Sequence, residues 1–275
     1  MSTLPSSGTE SGAPGVGNFD SAVPLPQLRF TGERMVPGQV LEPLFQEHET
    51  RYLFAGKFVK DKVVLDVACG VGIGTHYLLK AGARTCLGLD IDGPTIAEAR
   101  ATYRGCRFER GDAMALSVPD NSIDVVVSFE TIEHLSEASR FLSECHRVLR
   151  PGGMLICSTP NRTMSRWAPD NSHHVHEFTA AEFRKALETE FDQVELFGQQ
   201  QMNLLKYAGE RLLSRALHAI RVMNAAKRAC GWKIPPPAVR TEYGGMPLDA
   251  FYEIQSYRPS LRAQPKYVVA VARKS

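Results

Sequence analysis

The chain is poor in the features that would fix a compartment or a partner. Its six cysteines (Cys69, Cys86, Cys106, Cys145, Cys157 and Cys230) include no C-x-x-C pair. That excludes a zinc knuckle and argues for reduced thiols rather than a disulfide framework. No apolar run approaches the roughly 18 residues a membrane span requires. The formal net charge is only +2 over 275 residues, which by itself argues neither for nor against nucleic acid. The opening MSTLPSSGTESGAPGVG has neither the basic segment nor the apolar core of a secretory signal. Its Ser, Gly, Thr and Pro content reads as a disordered tail, placed at 1–28. Together these absences predict a cytoplasmic globular protein, and no internal repeat suggests a solenoid.

What the sequence does have is alternation. Short β-branched runs at 62–68, 84–92, 106–113, 122–129 and 154–161 read as strands, and amphipathic stretches at 72–82, 94–103, 131–149 and 179–190 read as helices. A further helix begins near residue 47. Thr179 and Glu182 have capping-box spacing, and Pro151-Gly152-Gly153 closes the helix over 131–149. Strands alternating with helices imply a mostly parallel α/β sheet. Two last strands, 193–198 and 266–273, have no obvious crossover helix between them and are expected as an antiparallel pair. The residues separating them are far too many for a hairpin loop, so they form an insertion with its own structure.

The segment VLDVACGVGIGT (64–75) is a strand, a glycine-rich turn and a helix start. Gly70, Gly72 and Gly74 permit a tight turn and close approach of backbone to a ligand. Asp90 closes the second strand, where a carboxylate can take both hydroxyls of a ribose. Asp112 follows the third strand, where an acid can accept an adenine amino group. A dinucleotide-binding unit is the competing reading, but its G-x-G-x-x-G spacing is not met, because the third glycine comes one residue early.

Together with LDID, ERGDAMALSVPDNSIDVVVSFETIEHL, RVLRPGGMLICSTPN and HVHEFTAAEF, this segment resembles the class I S-adenosylmethionine-dependent methyltransferases of the small-molecule (type 11) group. The resemblance covers about residues 47–198 and the last strand. It implies a Rossmann-like α/β fold: a mostly parallel seven-stranded sheet with an antiparallel last strand and a helical insertion between the last two strands. It divides the chain into the tail, a methyltransferase domain (29–199 and 262–275) and a lid (200–261). It implies S-adenosyl-L-methionine as cofactor, held by Asp66, Ala68, Cys69, Gly70, Gly72, Asp90, Ile91, Asp112, Ala113 and Phe129. Asp66 and the turn would hold the methionine part, Asp90 the ribose and Asp112 the adenine. Ala68 departs from the pattern, standing where the family's first motif glycine usually stands.

In open α/β sheets, ligands bind outside the carboxyl ends of the strands. FETIEHL (129–135) lies at such an end, as does the segment after the fifth strand, which carries His173, His174 and His176. Glu130, Glu133 and His134 have the i, i+3, i+4 spacing of one helix face. With His176 facing them, they form a candidate catalytic site and a candidate site for a divalent metal (Mg, Mn or Zn) of mixed carboxylate and imidazole ligands. The pattern is similar to two metal-using branches of the fold, the small-RNA 3′-end ribose 2′-O-methyltransferases and, more loosely, the ubiquinone-biosynthesis O-methyltransferases. Direct substrate contact or base catalysis by His134 or His176 without metal is the alternative, and a helix cap is the purely structural one.

The insertion opens with a basic amphipathic stretch (200–233). Lys206, Arg211, Arg215, Arg221, Lys227, Arg228 and Lys233 face Glu210 alone. It reads either as a lid helix with a solvated face or as a peripheral membrane contact. RFTGERMVPG (29–38) resembles segments preceding this fold in bacterial enzymes found with glycan-building enzymes. These features point to O-methylation of a small-molecule or glycan hydroxyl. A ribose 2′-O-methyltransferase is one alternative, opposed by the lack of a basic charge or an RNA module. A non-catalytic cofactor-binding scaffold is the other, opposed by the intact Asp66, Asp90 and Asp112.

Overall fold

The computed structural model describes residues 42–167, 171–209, 212, 242–243, 246–247, 252–258, 260 and 263–275. The chain begins with α1 (Glu42–Gly56). It then alternates β1 (Val63–Val67), α2 (Ile73–Lys80), β2 (Thr85–Asp90), α3 (Gly93–Thr102), β3 (Arg107–Arg110) and β4 (Ile123–Phe129). A single 3-10 turn (Ile132–His134) precedes α4 (Ala138–Val148) and β5 (Leu149–Pro160), followed by α5 (Arg162–Ser165), α6 (Ala180–Leu187) and β6 (Gln193–Met202). A small ribbon, β7 (Glu242–Tyr243) with β8 (Met246–Pro247), stands apart from the main sheet, which is completed by β9 (Ile254–Ser256) and β10 (Gln264–Arg273).

The main sheet has eight strands in the order β3-β2-β1-β4-β5-β10-β6-β9. β1 to β5 run parallel. β10 inserts antiparallel between β5 and β6. The fold is therefore the expected Rossmann-like α/β sheet with an antiparallel close, but one strand wider: Ile254–Ser256, assigned by sequence to the insertion, pairs antiparallel with β6. The alternation of strand residues builds two cores. Val64, Val125 and Val127 face α1 and α2 through Phe54, Ala55 and Leu78. Leu65, Val126, Leu155 and Val268 face α4 and α6 through Phe141, Leu142, Phe183 and Leu187.

The expected capping box of α6 is present. The Thr179 hydroxyl accepts from Glu182 N–H, while the Glu182 carboxylate accepts from Thr179 N–H. The expected helix over 131–149 is not one helix. Glu130 takes a left-handed backbone with φ 52°, which breaks the strand off before any α-turn can form. The chain then makes the 3-10 turn, extends at Leu135 and starts α4 only at Ala138. Nor does Pro151-Gly152-Gly153 lie outside secondary structure: it sits inside β5, where a register shift against β4 absorbs it.

No helix among the described residues is long and apolar enough to cross a membrane. The tail, the RFTGERMVPG segment and most of the insertion, including all of the basic stretch beyond residue 209 but residue 212, lie outside the described residues. At its start, β6 continues to Met202 and helical turns follow at 204–209.

Candidate active site

The carboxyl ends of β1, β2, β4 and β5 and the start of β10 converge on one cavity of about 790 Å³. One end is formed by the turn after β1. Ala68 and Gly70 both take left-handed backbones, φ 59° and 54°. That explains why a glycine is usual at position 68, and alanine there costs about 1–2 kcal/mol of backbone strain. Gly70 N–H donates to Asp90 Oδ2 at 2.9 Å, and Asp92 N–H donates to Asp90 Oδ1 at 2.9 Å. Asp90 thus locks the turn after β1 to the turn after β2. Asp112 accepts from Met114 N–H at 2.8 Å and, with Gly111, Ala113 and Ile91, completes this end. Gly74 is required for a different reason. A Cβ there would stand 1.9 Å from the Tyr52 ring, so its absence lets α1 lie against the start of α2. Phe129 lines the cavity and meets the Tyr52 ring edge-on, with centroids 5.0 Å apart.

Asp66 does not reach the cavity. Its carboxylate is fully buried below the turn, accepting from Thr75 Oγ1 at 2.6 Å and from Tyr52 Oη at 3.2 Å. Burial pushes its pKa up to about 7, against the pull of those two hydrogen bonds. Gly72 is likewise outside the cavity lining. Its missing side chain makes room for Phe108 and Ala99.

The far end is formed by the 3-10 turn and the loop after α5. Glu133 is fully buried. Its Oε2 accepts from Thr159 Oγ1 at 3.1 Å, and its Oε1 has no hydrogen-bond partner among the described residues. Burial, then the neighbouring Glu130 charge, raise its pKa well above the usual carboxylate range. Glu130 accepts a 2.6 Å bond from the Ser158 hydroxyl. The Glu133 carbonyl accepts from both Val175 and His176 N–H, at 2.8 and 3.1 Å, and this pins the loop onto the turn.

That pinning decides which histidine enters. His174 meets the His134 ring edge-on, with centroids 4.9 Å apart, while His176 turns outward against Phe178 and is exposed. The expected partner His176 is thus replaced by His174. The ligand atoms of Glu133, His134 and His174 lie within 4.8 Å of one another, whereas Glu130 stays with Ser158. His134 Nδ1 lies 3.0 Å from the His173 carbonyl. His174 Nδ1 lies 2.6 Å from Glu177 Oε1, and its Nε2 lies 2.8 Å from the Asn171 amide.

The family model described as "Methyltransferase domain" matches residues 65–157. A "Probable S-adenosylmethionine-dependent methyltransferase" of Mycolicibacterium smegmatis is 42% identical over 184 residues, 66% of this chain and 71% of the relative. The chain belongs to the S-adenosylmethionine-dependent methyltransferases. A "Ubiquinone biosynthesis O-methyltransferase" of Sinorhizobium medicae is 31% identical over 43% of this chain, which spans about half (54%) of that relative's length. The fold also matches the crystal structure of a SAM-dependent methyltransferase from Archaeoglobus fulgidus, with a TM-score of 0.55 at 17% identity, covering 84% of this chain and 93% of the other.

Two walls of this methyltransferase's cavity were not legible as such in the sequence. Phe45, His48, Glu49 and Tyr52 come from one face of α1, and Lys266 and Tyr267 come from the start of β10. The spacing of the first four is helical, but nothing in it says which face of α1 meets the site. The opposite face of α1 is bolted to the sheet. Glu47, nearly fully buried, accepts from Gln200 Nε2 at 2.6 Å and from Lys266 Nζ at 3.1 Å. Arg51, also buried, donates to Gln199 Oε1 at 2.6 Å and stacks 4.7 Å over the Tyr267 ring.

Proposed function

We propose that the enzyme transfers the methyl group of S-adenosylmethionine to a hydroxyl of a small molecule or glycan. The observation that carries this is the shared cavity: Gly70, Asp90 and Asp112 line one end, and Glu133, His134 and His174 the other. Each Asp90 oxygen that accepts a backbone N–H retains a lone pair for a ribose hydroxyl. Asp112 takes the adenine amino group. The methionine part lies along the turn from Ala68 to Gly70, with Asp66 supporting that turn from beneath.

A hydroxyl is a poor nucleophile until its proton is engaged, whereas a neutral amine needs no such help, so imidazoles at the acceptor end favour oxygen. The O-methyltransferase relative lends the same direction. In the reaction, His134 takes the hydroxyl proton as the oxygen attacks the methyl carbon, the carbon–sulfur bond breaks and neutral S-adenosylhomocysteine remains. The carboxylates Glu49, Glu130 and Glu177 around the same space disfavour a phosphodiester, which supports a small or glycan acceptor over RNA.

Glu133, His134 and His174 also fit a divalent metal. The set mixes carboxylate and imidazole, its atoms are mutually close, and Glu133 Oε1 is a buried oxygen without a partner among the described residues. Bound there, Mg²⁺, Mn²⁺ or Zn²⁺ would lower the pKa of the acceptor hydroxyl. His174 would have to release the Asn171 amide or Glu177 to join.

The test uses ¹³C-methyl-labelled S-adenosylmethionine with catechol and methyl α-D-glucopyranoside as acceptors. The expected product carries an O-methyl carbon by NMR. Products methylated only at nitrogen or carbon across a wider panel would overturn the reading. An EDTA arm separates the two mechanisms: loss of turnover restored by a divalent cation assigns the metal, and unchanged turnover leaves His134 as the base.

A further inference from the structure

Four histidines line the cavity, His48, His134, His173 and His174, and three of them are already engaged. His174 has both nitrogens engaged, and His134 has Nδ1 on a carbonyl. His48 has no hydrogen-bond partner among the described residues, is half-buried and lines the cavity. It stands on α1, upstream of the region that the family model matches. His48 lines the same cavity as Glu133, His134 and His174.

We infer that His48 is a specificity-determining residue, hydrogen-bonding a second hydroxyl of an uncharged polyhydroxylated acceptor from the α1 wall of the cavity that Glu133 and His134 also line. This rests on the hydroxyl-acceptor reading above and narrows it. The surroundings fix the form of the imidazole. Burial first, then the positive charges of Arg51 on α1 and Lys266 on β10, hold its pKa well below the ordinary histidine value. The acidic side chains lining the same cavity are Glu49 on α1, Glu130 and Glu133 after β4, and Glu177 in the loop after α5. Glu130 is occupied by Ser158, and Glu177 by His174 and Ser165.

A neutral imidazole presents one donor and one acceptor nitrogen. A hydroxyl also donates and accepts, so it satisfies whichever nitrogen it meets. A carboxylate or an ammonium would select one tautomer but bring a charge into the buried wall, whereas a hydroxyl suits either tautomer and brings none. A site built to bond a hydroxyl discriminates strongly against analogues lacking it, because its own polar group is then left unpaired. A mono-alcohol bound at His134 would leave His48 in that condition.

The experiment compares wild type, His48→Phe and His48→Gln in the full chain. Methyl transfer is measured to methyl α-D-glucopyranoside, a neutral polyol, and to cyclohexanol, a mono-alcohol. S-Adenosylhomocysteine affinity is measured by calorimetry. The wild type is expected to favour the polyol by about tenfold to a hundredfold in kcat/KM. His48→Phe should erase that preference, His48→Gln should restore part of it, and cofactor affinity should not change. A preference that survives in His48→Phe overturns the inference, as does an equal loss on both alcohols.

A second measurement needs no turnover. In ¹⁵N-histidine protein loaded with S-adenosylhomocysteine, the His48 ring signals should shift saturably with the polyol and not with cyclohexanol. If neither alcohol is methylated but the shift is seen, the hydroxyl-transfer reading fails while the binding role of His48 stands. If no shift is seen, the role of His48 fails whatever the kinetics show.

Discussion

The two ends of the cavity are made in different ways. The turn end is backbone. Left-handed residues at 68 and 70, and N–H groups converging on Asp90, come from segments that follow one another closely in the chain. The rest of the lining, the proposed acceptor end, is side chains brought together from afar: α1, the 3-10 turn, the loop after α5 and the start of β10. A backbone site presents one geometry and suits a constant ligand. A side-chain site can be altered residue by residue and suits a variable one. On the proposed assignment, the constant methyl donor meets the backbone end and the variable acceptor meets the side-chain end.

The largest test of the contrast is at the acceptor end. On the proposed reading, His134→Ala lowers kcat by about 10²–10⁴, the usual worth of a positioned acid or base, while calorimetry shows unchanged S-adenosylhomocysteine affinity. Wild-type turnover would reduce Glu133 and His134 to a structural turn and collapse the contrast.

A smaller effect lies beneath the turn. Asp66 binds its proton more tightly in the folded state than unfolded, so folding stability should fall as pH rises from about 4 to about 7 and level off above. In urea unfolding of the cofactor-free protein, Asp66→Asn should flatten that decline by about 2–4 kcal/mol. An unchanged pH slope would show that Asp66 titrates normally.

The smallest concerns Asp90. Its replacement by alanine should weaken S-adenosylmethionine binding by about 1.5–3 kcal/mol through lost charge-assisted hydrogen bonds. Equal affinity by calorimetry would remove Asp90 from the cofactor site. A loss of acceptor KM alone would mean that the two ends had been assigned the wrong way round.

The same division explains what could be read in advance. Strand periodicity, the glycines and the acids at strand ends report local geometry, so the sheet and most of the turn end were legible. The acceptor end depended on facts of register. A left-handed Glu130 converts an expected helix face into a 3-10 turn. The Glu133 carbonyl, by accepting from residues 175 and 176, selects His174 over His176. No spacing rule encodes either. Asp66 was misplaced for a related reason: a strand alternates its side chains, and its position in β1 carries it under α2 rather than into the cavity.

Helix α1 has a consequence for how such an enzyme changes over generations. Its Glu47, Arg51, Phe54 and Ala55 hold it to the body of the protein, while Phe45, His48 and Glu49 look the other way. Replacing His48 leaves the Glu47 and Arg51 contacts in place. On the proposed reading, substrate range can therefore drift through a codon near the start of the domain while the helix keeps its hold on the sheet.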